Sequence, residues 1–196
     1  MSEKELEERV MINKKQYLEI EKYIRDNFPH YLMFDQKNRY FDDSNKTITR
    51  LENVLRIRSF KDKKQRELTY KVKGENGDLE YNQTLSHYWF YQITRYSRLP
   101  EGEIKNKLLE DNVDISSINM ITDLYTRRME VHFSDHILVL DANMYNNIVD
   151  YNIEIESNIS IENAHELILK YCQMFNLEYK KEYLTKSQRA FKSIKK

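Results

Sequence analysis

The sequence predicts an antiparallel α+β domain, and three observations carry that prediction. Apolar and polar residues alternate in segment after segment, helical spacing appears before, between and after those segments, and only three Gly and two Pro interrupt them. At 196 residues the chain suits one domain, 1–196, large enough for an extensive core.

Lys4 to Ile12 reads as a strand, with Glu5, Glu7 and Arg9 on one face, Leu6, Val10 and Ile12 on the other, and Glu8 interrupting the alternation. A helix follows from Lys14 to about Asn27, through Tyr17, Leu18, Ile20, Tyr23 and Ile24. Gln36 to Asp43 reads as extended. Val54 to Phe60 sets Leu55 and Ile57 against Arg56 and Arg58, and Glu67 to Val72 sets Leu68, Tyr70 and Val72 against Thr69 and Lys71. Gly74 to Gly77 supplies residues tolerant of positive φ, and Leu79 to Leu85 resumes the alternation, which makes a hairpin.

From His87 to about Val113 the pattern turns helical, in one stretch with Trp89, Phe90 and Ile93 and a second with Ile104, Leu108 and Leu109. The Tyr-rich run Tyr88 to Tyr96 belongs to a helix that covers apolar sheet surface rather than stacking on bases. Strands return at Ile118 to Phe133, Ile137 to Leu140 and Ile148 to Ile155, the last with Glu154 and Glu156 opposite Ile153 and Ile155. Ile161 to Phe175 is an amphipathic helix with Ser160 as its N-cap, and a basic tail runs from Lys186 to Lys196. The sum is seven to nine mostly sequential strands with helices at both ends and in the middle.

Composition narrows the function. Lys plus Arg (32) equals Asp plus Glu (32), so no global basic field draws in nucleic acid or membrane, and any polyanion site is local. The scarcity of glycine excludes a P-loop and a Rossmann fingerprint, whose phosphate cradles need glycine at several close positions. A single cysteine, Cys172, excludes an intramolecular disulfide and reads as a small buried hydrophobe. An acidic N-terminus without an apolar leader and the absence of a long apolar run predict a soluble, cytoplasmic protein. His30, His87, His132, His136 and His165 lack metal-ligand spacing, although His132 shares the parity of Arg128.

The chemistry lies in charges of one type at i, i+2 spacing: Glu5/Glu7, Arg56/Arg58 and Glu154/Glu156. A merely solvated sheet face gains little from segregating signs by strand, whereas a metal-plus-phosphate site needs both clusters. Two carboxylates two residues apart on a strand point the same way about 7 Å apart and suit a hard divalent cation. Guanidinium forks suit phosphate oxygens and stay charged. Bringing such distant strands together requires the sheet to curl with its charged face inward, as a closed barrel does, leaving an apolar exterior for helices to cover.

These residues resemble the CYTH family of triphosphate tunnel metalloenzymes, and the middle motifs look most like a bacterial subgroup. Glu5-Leu-Glu7-Glu-Arg9 is similar to its N-terminal ExExK signature. Asn38-Arg-Tyr-Phe-Asp42, Leu55-Arg-Ile-Arg58, Leu68-Thr-Tyr-Lys71, Glu80-Tyr-Asn82, Tyr125-Thr-Arg-Arg128, Val139-Leu-Asp141, Ile153-Glu-Ile-Glu156 and Lys186-Ser-Gln-Arg189 follow in the family's order. The resemblance implies a closed eight-stranded antiparallel β-barrel with covering helices, whose tunnel holds a triphosphate with Mg²⁺ or Mn²⁺. It implies Glu5, Glu7, Glu154 and Glu156 as metal ligands, with Asp141 contributing, and Arg56, Arg58, Lys71, Arg128 and Lys186 as phosphate contacts. Arg9 stands where the family has lysine, keeping the charge on a larger fork. Alternation places Arg128 with Thr126 and Glu130, and a bulge would select Arg127 instead. Glu154, Glu156 and Lys71 are the catalytic candidates.

Six cations (Arg9, Arg56, Arg58, Lys71, Arg128, Lys186) face six anions (Glu5, Glu7, Glu80, Asp141, Glu154, Glu156), so the bare site sums to zero. A tetra-anionic triphosphate then needs one or two divalent ions, which predicts an absolute metal requirement. The expected reaction is metal-dependent hydrolysis of inorganic tripolyphosphate or a nucleoside triphosphate, ahead of ATP cyclisation, of thiamine or RNA triphosphate hydrolysis, and of a non-catalytic binding module. The expected partner is the small-molecule triphosphate alone, with no nucleic acid and no membrane, on a monomer or homodimer.

Overall fold

The computed structural model describes residues 3–4, 6–61, 66–74 and 78–194, of which 3 and 4 contribute backbone only. In chain order the strands and helices are β1 (Glu3–Lys4), β2 (Glu7–Ile12), α1 (Lys14–Asn27), β3 (Leu32–Asp42), α2 (Thr47–Arg50), β4 (Val54–Phe60), β5 (Arg66–Val72) and β6 (Leu79–Leu85). After them come α3 (His87–Tyr96), α4 (Glu103–Glu110), β7 (Asn119–His132), β8 (His136–Tyr145), β9 (Ile148–Ser157), α5 (Ile161–Met174) and α6 (Lys186–Lys192). The fold class is α+β, as predicted.

The strands hydrogen-bond in the order β1-β6-β5-β4-β3-β7-β8-β9-β2. Nine strand segments are seen among the described residues, because the first strand of the eight is represented by two: β1 pairs with β6 and β2 with β9, both antiparallel. The order begins at β1 and ends at β2, so the predicted closed barrel is not contained in these pairings. Residues 75–77 of the predicted hairpin turn lie outside the described residues.

The chain divides into two compact units. One comprises 5–35 and 125–186. On one face of its strands Val10, Ile12, Met129, Val131, Leu138, Leu140, Ile153 and Ile155 are buried against Tyr17, Ile20 and Ile24 of α1 and Ala164, Ile168 and Cys172 of α5. Cys172 is the buried thiol expected of it. Both helices start on side-chain caps: Asn13 with Gln16 forms a capping box for α1, and Ser160 accepts from the Asn163 N–H at the start of α5.

The other unit comprises 1–4, 36–124 and 187–196. Leu55, Ile57, Leu68 and Tyr70 pack there on Ile93 of α3 and Ile104 and Leu108 of α4. The predicted helical stretch from His87 to Val113 is broken because Ser97 leaves α3 with φ +55° and Pro100 and Gly102 precede α4, Gly102 at φ +145°. The short α2 was not predicted. It forms because Asp42 and Asp43 accept the N–H groups of Thr47, Ile48 and Thr49. From Lys186 to Lys192 the basic tail forms α6, which buries Ser187, Arg189 and Ala190.

Candidate metal and phosphate site

In the unit built on β2, β7, β8 and β9, the face opposite the apolar core carries the charges. Antiparallel register sets Glu7 opposite Glu156 and Arg9 opposite Glu154 between β2 and β9, and Arg128 opposite Asp141 between β7 and β8. Side chains on paired positions meet on one face, so residues far apart in sequence form one ionic cluster.

Arg128 is its centre. Its Nε and Nη2 donate to the two Asp141 oxygens at 3.0 and 2.9 Å, a two-pronged carboxylate contact. Nη2 also donates to Glu154 Oε2 at 3.1 Å, and Nη1 to Glu156 Oε1 at 3.1 Å. Arg127 points away: its side chain is 52% exposed against 14% for Arg128, and it pairs with Asp35 at 3.1 Å. The strand runs without a bulge at this point, and simple alternation selects Arg128.

Arg9 donates from Nε to Glu154 Oε1 and from Nη2 to Glu7 Oε1 at 2.6 Å, so one guanidinium fork bridges the two carboxylates. Lys186 places Nζ 2.6 Å from Asp141 Oδ2 and 2.7 Å from Glu154 Oε2. Asp141 is therefore engaged by Arg128 and Lys186. Glu130 joins from two residues along β7, with Oε1 3.5 Å from Arg128 Nη1 and Oε2 2.9 Å from His132 Nε2. Its parity with Arg128 was visible in the sequence, but it matched no motif.

Glu7, Glu154 and Glu156 each offer a carboxylate oxygen, and the three oxygens lie within 4.8 Å of one another. Glu5 lies outside the described residues. The donor set is all hard oxygen, the chemistry that Mg²⁺ and Mn²⁺ prefer. Five carboxylates (Glu7, Glu130, Asp141, Glu154, Glu156) against three cations (Arg9, Arg128, Lys186) leave the cluster with a deficit that a divalent ion would cancel. These residues fit such an ion.

The two β9 carboxylates are tuned in opposite directions. Burial disfavours charge on Glu154, but Arg9, Lys186 and Arg128 overcome it and hold the group well below the usual carboxylate range. At Glu156 burial prevails over Arg128 and, with the neighbouring Glu154 and Glu7 charges, pushes the carboxyl up to about 7. Asp141, fully buried, is drawn down by Arg128 and Lys186.

The other unit carries a second charged group. Arg56 and Arg58 alternate with the buried Leu55 and Ile57, as the sequence predicts. Arg56 Nη2 lies 3.3 Å from Glu80 Oε1, and Lys71 Nζ lies 3.4 Å from Asp78 and 3.8 Å from Glu80. Arg58 Nε donates to Asn38 Oδ1 at 3.3 Å. The buried Arg56 Nε has no hydrogen-bond partner among the described residues, which leaves a guanidinium donor for an acceptor brought by a ligand.

The CYTH domain model matches residues 3–187. The chain belongs to the CYTH family. The Bacillus subtilis (strain 168) protein called "Putative triphosphatase YjbK" is 35% identical over 123 residues, which span 63% of this chain and 62% of that protein. Among solved structures, a "putative adenylate cyclase" from Bacillus halodurans is similar with TM-score 0.85 and 27% identity, covering 97% of this chain and 98% of that one. HpAC1 from Hippeastrum, described as a "putative adenylyl cyclase" with a dominant triphosphatase activity, has TM-score 0.81 at 18% identity over 96% of this chain and 95% of its own. At that identity the likeness is one of fold. No helix among the described residues is long and apolar enough to cross a membrane.

Proposed function

We propose that this CYTH protein is a metal-dependent triphosphatase, hydrolysing the terminal phosphoanhydride of inorganic tripolyphosphate or a nucleoside triphosphate. The observation that carries the reading is the oxygen triplet of Glu7, Glu154 and Glu156 set among Arg9, Arg128 and Lys186. Residues 1–196 are read as one CYTH domain, with the sheet closed into a tunnel through the N-terminal segment. Support for closure comes from that segment's two consecutive strands, which pair with β6 and with β9.

Glu5, Glu7, Glu154 and Glu156 would hold Mg²⁺ or Mn²⁺, with Asp141 keeping Arg128 and Lys186 in place beside them. When bound, the ion supplies positive charge against the phosphate oxygens. Arg56, Arg58 and Lys71 are assigned to the phosphate chain together with Arg9, Arg128 and Lys186; Lys71 counters charge on the leaving oxygen. Glu156 is the base. Its side chain is 35% exposed and open to water, whereas that of Glu154 is fully buried. Glu154, ringed by three cations, is held ionised and is the poorer proton acceptor. The water oxygen bonds to the terminal phosphorus as the bridging P–O bond breaks, the water's proton passes to Glu156, and orthophosphate and pyrophosphate leave when the substrate is tripolyphosphate.

The test is phosphate release from tripolyphosphate with Mg²⁺ or Mn²⁺, against a Glu154→Gln/Glu156→Gln variant as the blank. Turnover that the variant lacks is the expected result; none with either metal in folded protein sinks the reading. The name borne by the Bacillus halodurans structure raises cyclisation of ATP as the second reading, which cyclic AMP among the products would reveal.

A further inference from the structure

Glu8 breaks the alternation of β2. It shares the face of Val10 and Ile12, toward the apolar core, and is only 3% exposed. A carboxylate in such a place is costly unless it is paired and hydrogen-bonded. Lys181 Nζ lies 2.6 Å from its Oε1, and the Tyr179 hydroxyl donates to its Oε2 at 3.2 Å, with His165 Nδ1 3.3 Å from the same hydroxyl. Both partners lie in the segment that follows α5.

That segment is tied to β2 by its backbone as well. Val10 bridges Lys181, the Glu182 N–H donates to the Arg9 carbonyl at 3.5 Å, and Arg9 Nη1 donates to the Leu184 carbonyl at 3.3 Å. Glu182 braces the path by accepting the Leu184 N–H at 2.8 Å. Five residues beyond Lys181, the Lys186 ammonium reaches Asp141 and Glu154. An ammonium on a flexible four-carbon stem has no directional geometry of its own, so its position depends on where the backbone beneath it is held.

We infer that Glu8 is a positioning residue: through Lys181 and Tyr179 it fastens residues 179–186 along β2 and so sets Lys186 on the carboxylates of the site. Glu8 and the Lys186 ammonium lie at opposite faces of the sheet, linked through the strap and, along β2, through Arg9 and Glu154; exchange of the strap amides reports on the first route alone. The kinetic consequence rests on the triphosphatase reading; the structural one does not.

The experiment compares wild type, Glu8→Gln, Lys186→Met and the double variant, by tripolyphosphate hydrolysis with Mg²⁺ and by hydrogen exchange of the Glu182 and Leu184 amides. Glu8→Gln is expected to raise KM about 5-fold with kcat changed less than about 2-fold, and to speed exchange of both amides about 10-fold. In the Lys186→Met background the same substitution is expected to change KM by less than about 2-fold, because the group it positions is gone. If Glu8→Gln does not fold, Tyr179→Phe, which removes one hydrogen bond, is expected to show a smaller KM rise with the same dependence on Lys186. Additive effects, or a lower melting temperature with KM unchanged, overturn the inference. Absence of turnover in wild type overturns the triphosphatase reading instead; strap amides as protected in Glu8→Gln as in wild type then overturn the latch.

Discussion

Glu154 and Glu156 stand two residues apart on β9, and their surroundings part them. Glu154 is ringed by Arg9, Lys186 and Arg128 and is held ionised, while burial and two neighbouring carboxylates bring Glu156 to about 7. Between the ordinary value of 4.5 and about 7 the folded protein keeps a proton on Glu156 that the unfolded chain has released, so this residue's contribution to stability falls as pH rises through that window. A divalent ion binding beside Glu156 must displace the proton. Mn²⁺ binding followed by titration calorimetry in buffers of different ionisation enthalpy is expected to release more protons at pH 6.5 than at pH 8.5, and Glu156→Gln is expected to remove the difference. Equal release at both pH values in wild type would count against Glu156 as the titrating group.

At the scale of elements, β8 and β9 hold the unit together from one face and build the site from the other. Ile155 is fully buried against the core that α1 and α5 cover, one position from both Glu154 and Glu156. Ile155→Ala is expected to cost about 2–5 kcal/mol by leaving a cavity, against about 1 kcal/mol for Ser160→Ala, which removes only the α5 cap. Urea unfolding midpoints check the ranking, and equal losses would mean that the sheet face relaxes around the cavity. Such faces were legible in the sequence because a strand's period of two depends on the backbone alone: Arg56 and Arg58 against Leu55 and Ile57, Glu154 and Glu156 against Ile153 and Ile155. Register was not legible, since Arg9 meets Glu154 only through a pairing across the chain. The α2 turn was missed because four residues carry no helical period and their caps are side chains that precede them. The strand β8 runs past Leu140 to Tyr145 because Asp141 and Asn143 occupy the charged face, where their polarity resembled a strand end. Glu8 was visible as an interruption, but its partners on the strap lie some 170 residues away.

For the whole molecule, equal numbers of acidic and basic side chains hide a local imbalance. In the unit that holds the carboxylate triplet, Glu7, Glu130, Asp141, Glu154 and Glu156 outnumber Arg9, Arg128 and Lys186. Like charges held together by the fold oppose folding, and an ion that binds only the folded chain stabilises it by mass action. Metal concentration a hundredfold above the dissociation constant is expected to add about 2.7 kcal/mol. In a chain of this size that raises the melting temperature by about 5–10 °C. Glu7→Gln/Glu156→Gln replaces two of the three carboxylate donors by neutral amides and removes two of the five acidic groups. That variant is therefore expected to melt at or above the wild-type temperature in EDTA and to gain little from Mn²⁺. Circular dichroism melts of both proteins, with Mn²⁺ and with EDTA, measure the crossover. A variant that gains as much from Mn²⁺ as wild type would move the metal away from the triplet, and one that melts lower than wild type in EDTA would show that the carboxylates' bonds to Arg9 and Arg128 outweigh their mutual repulsion.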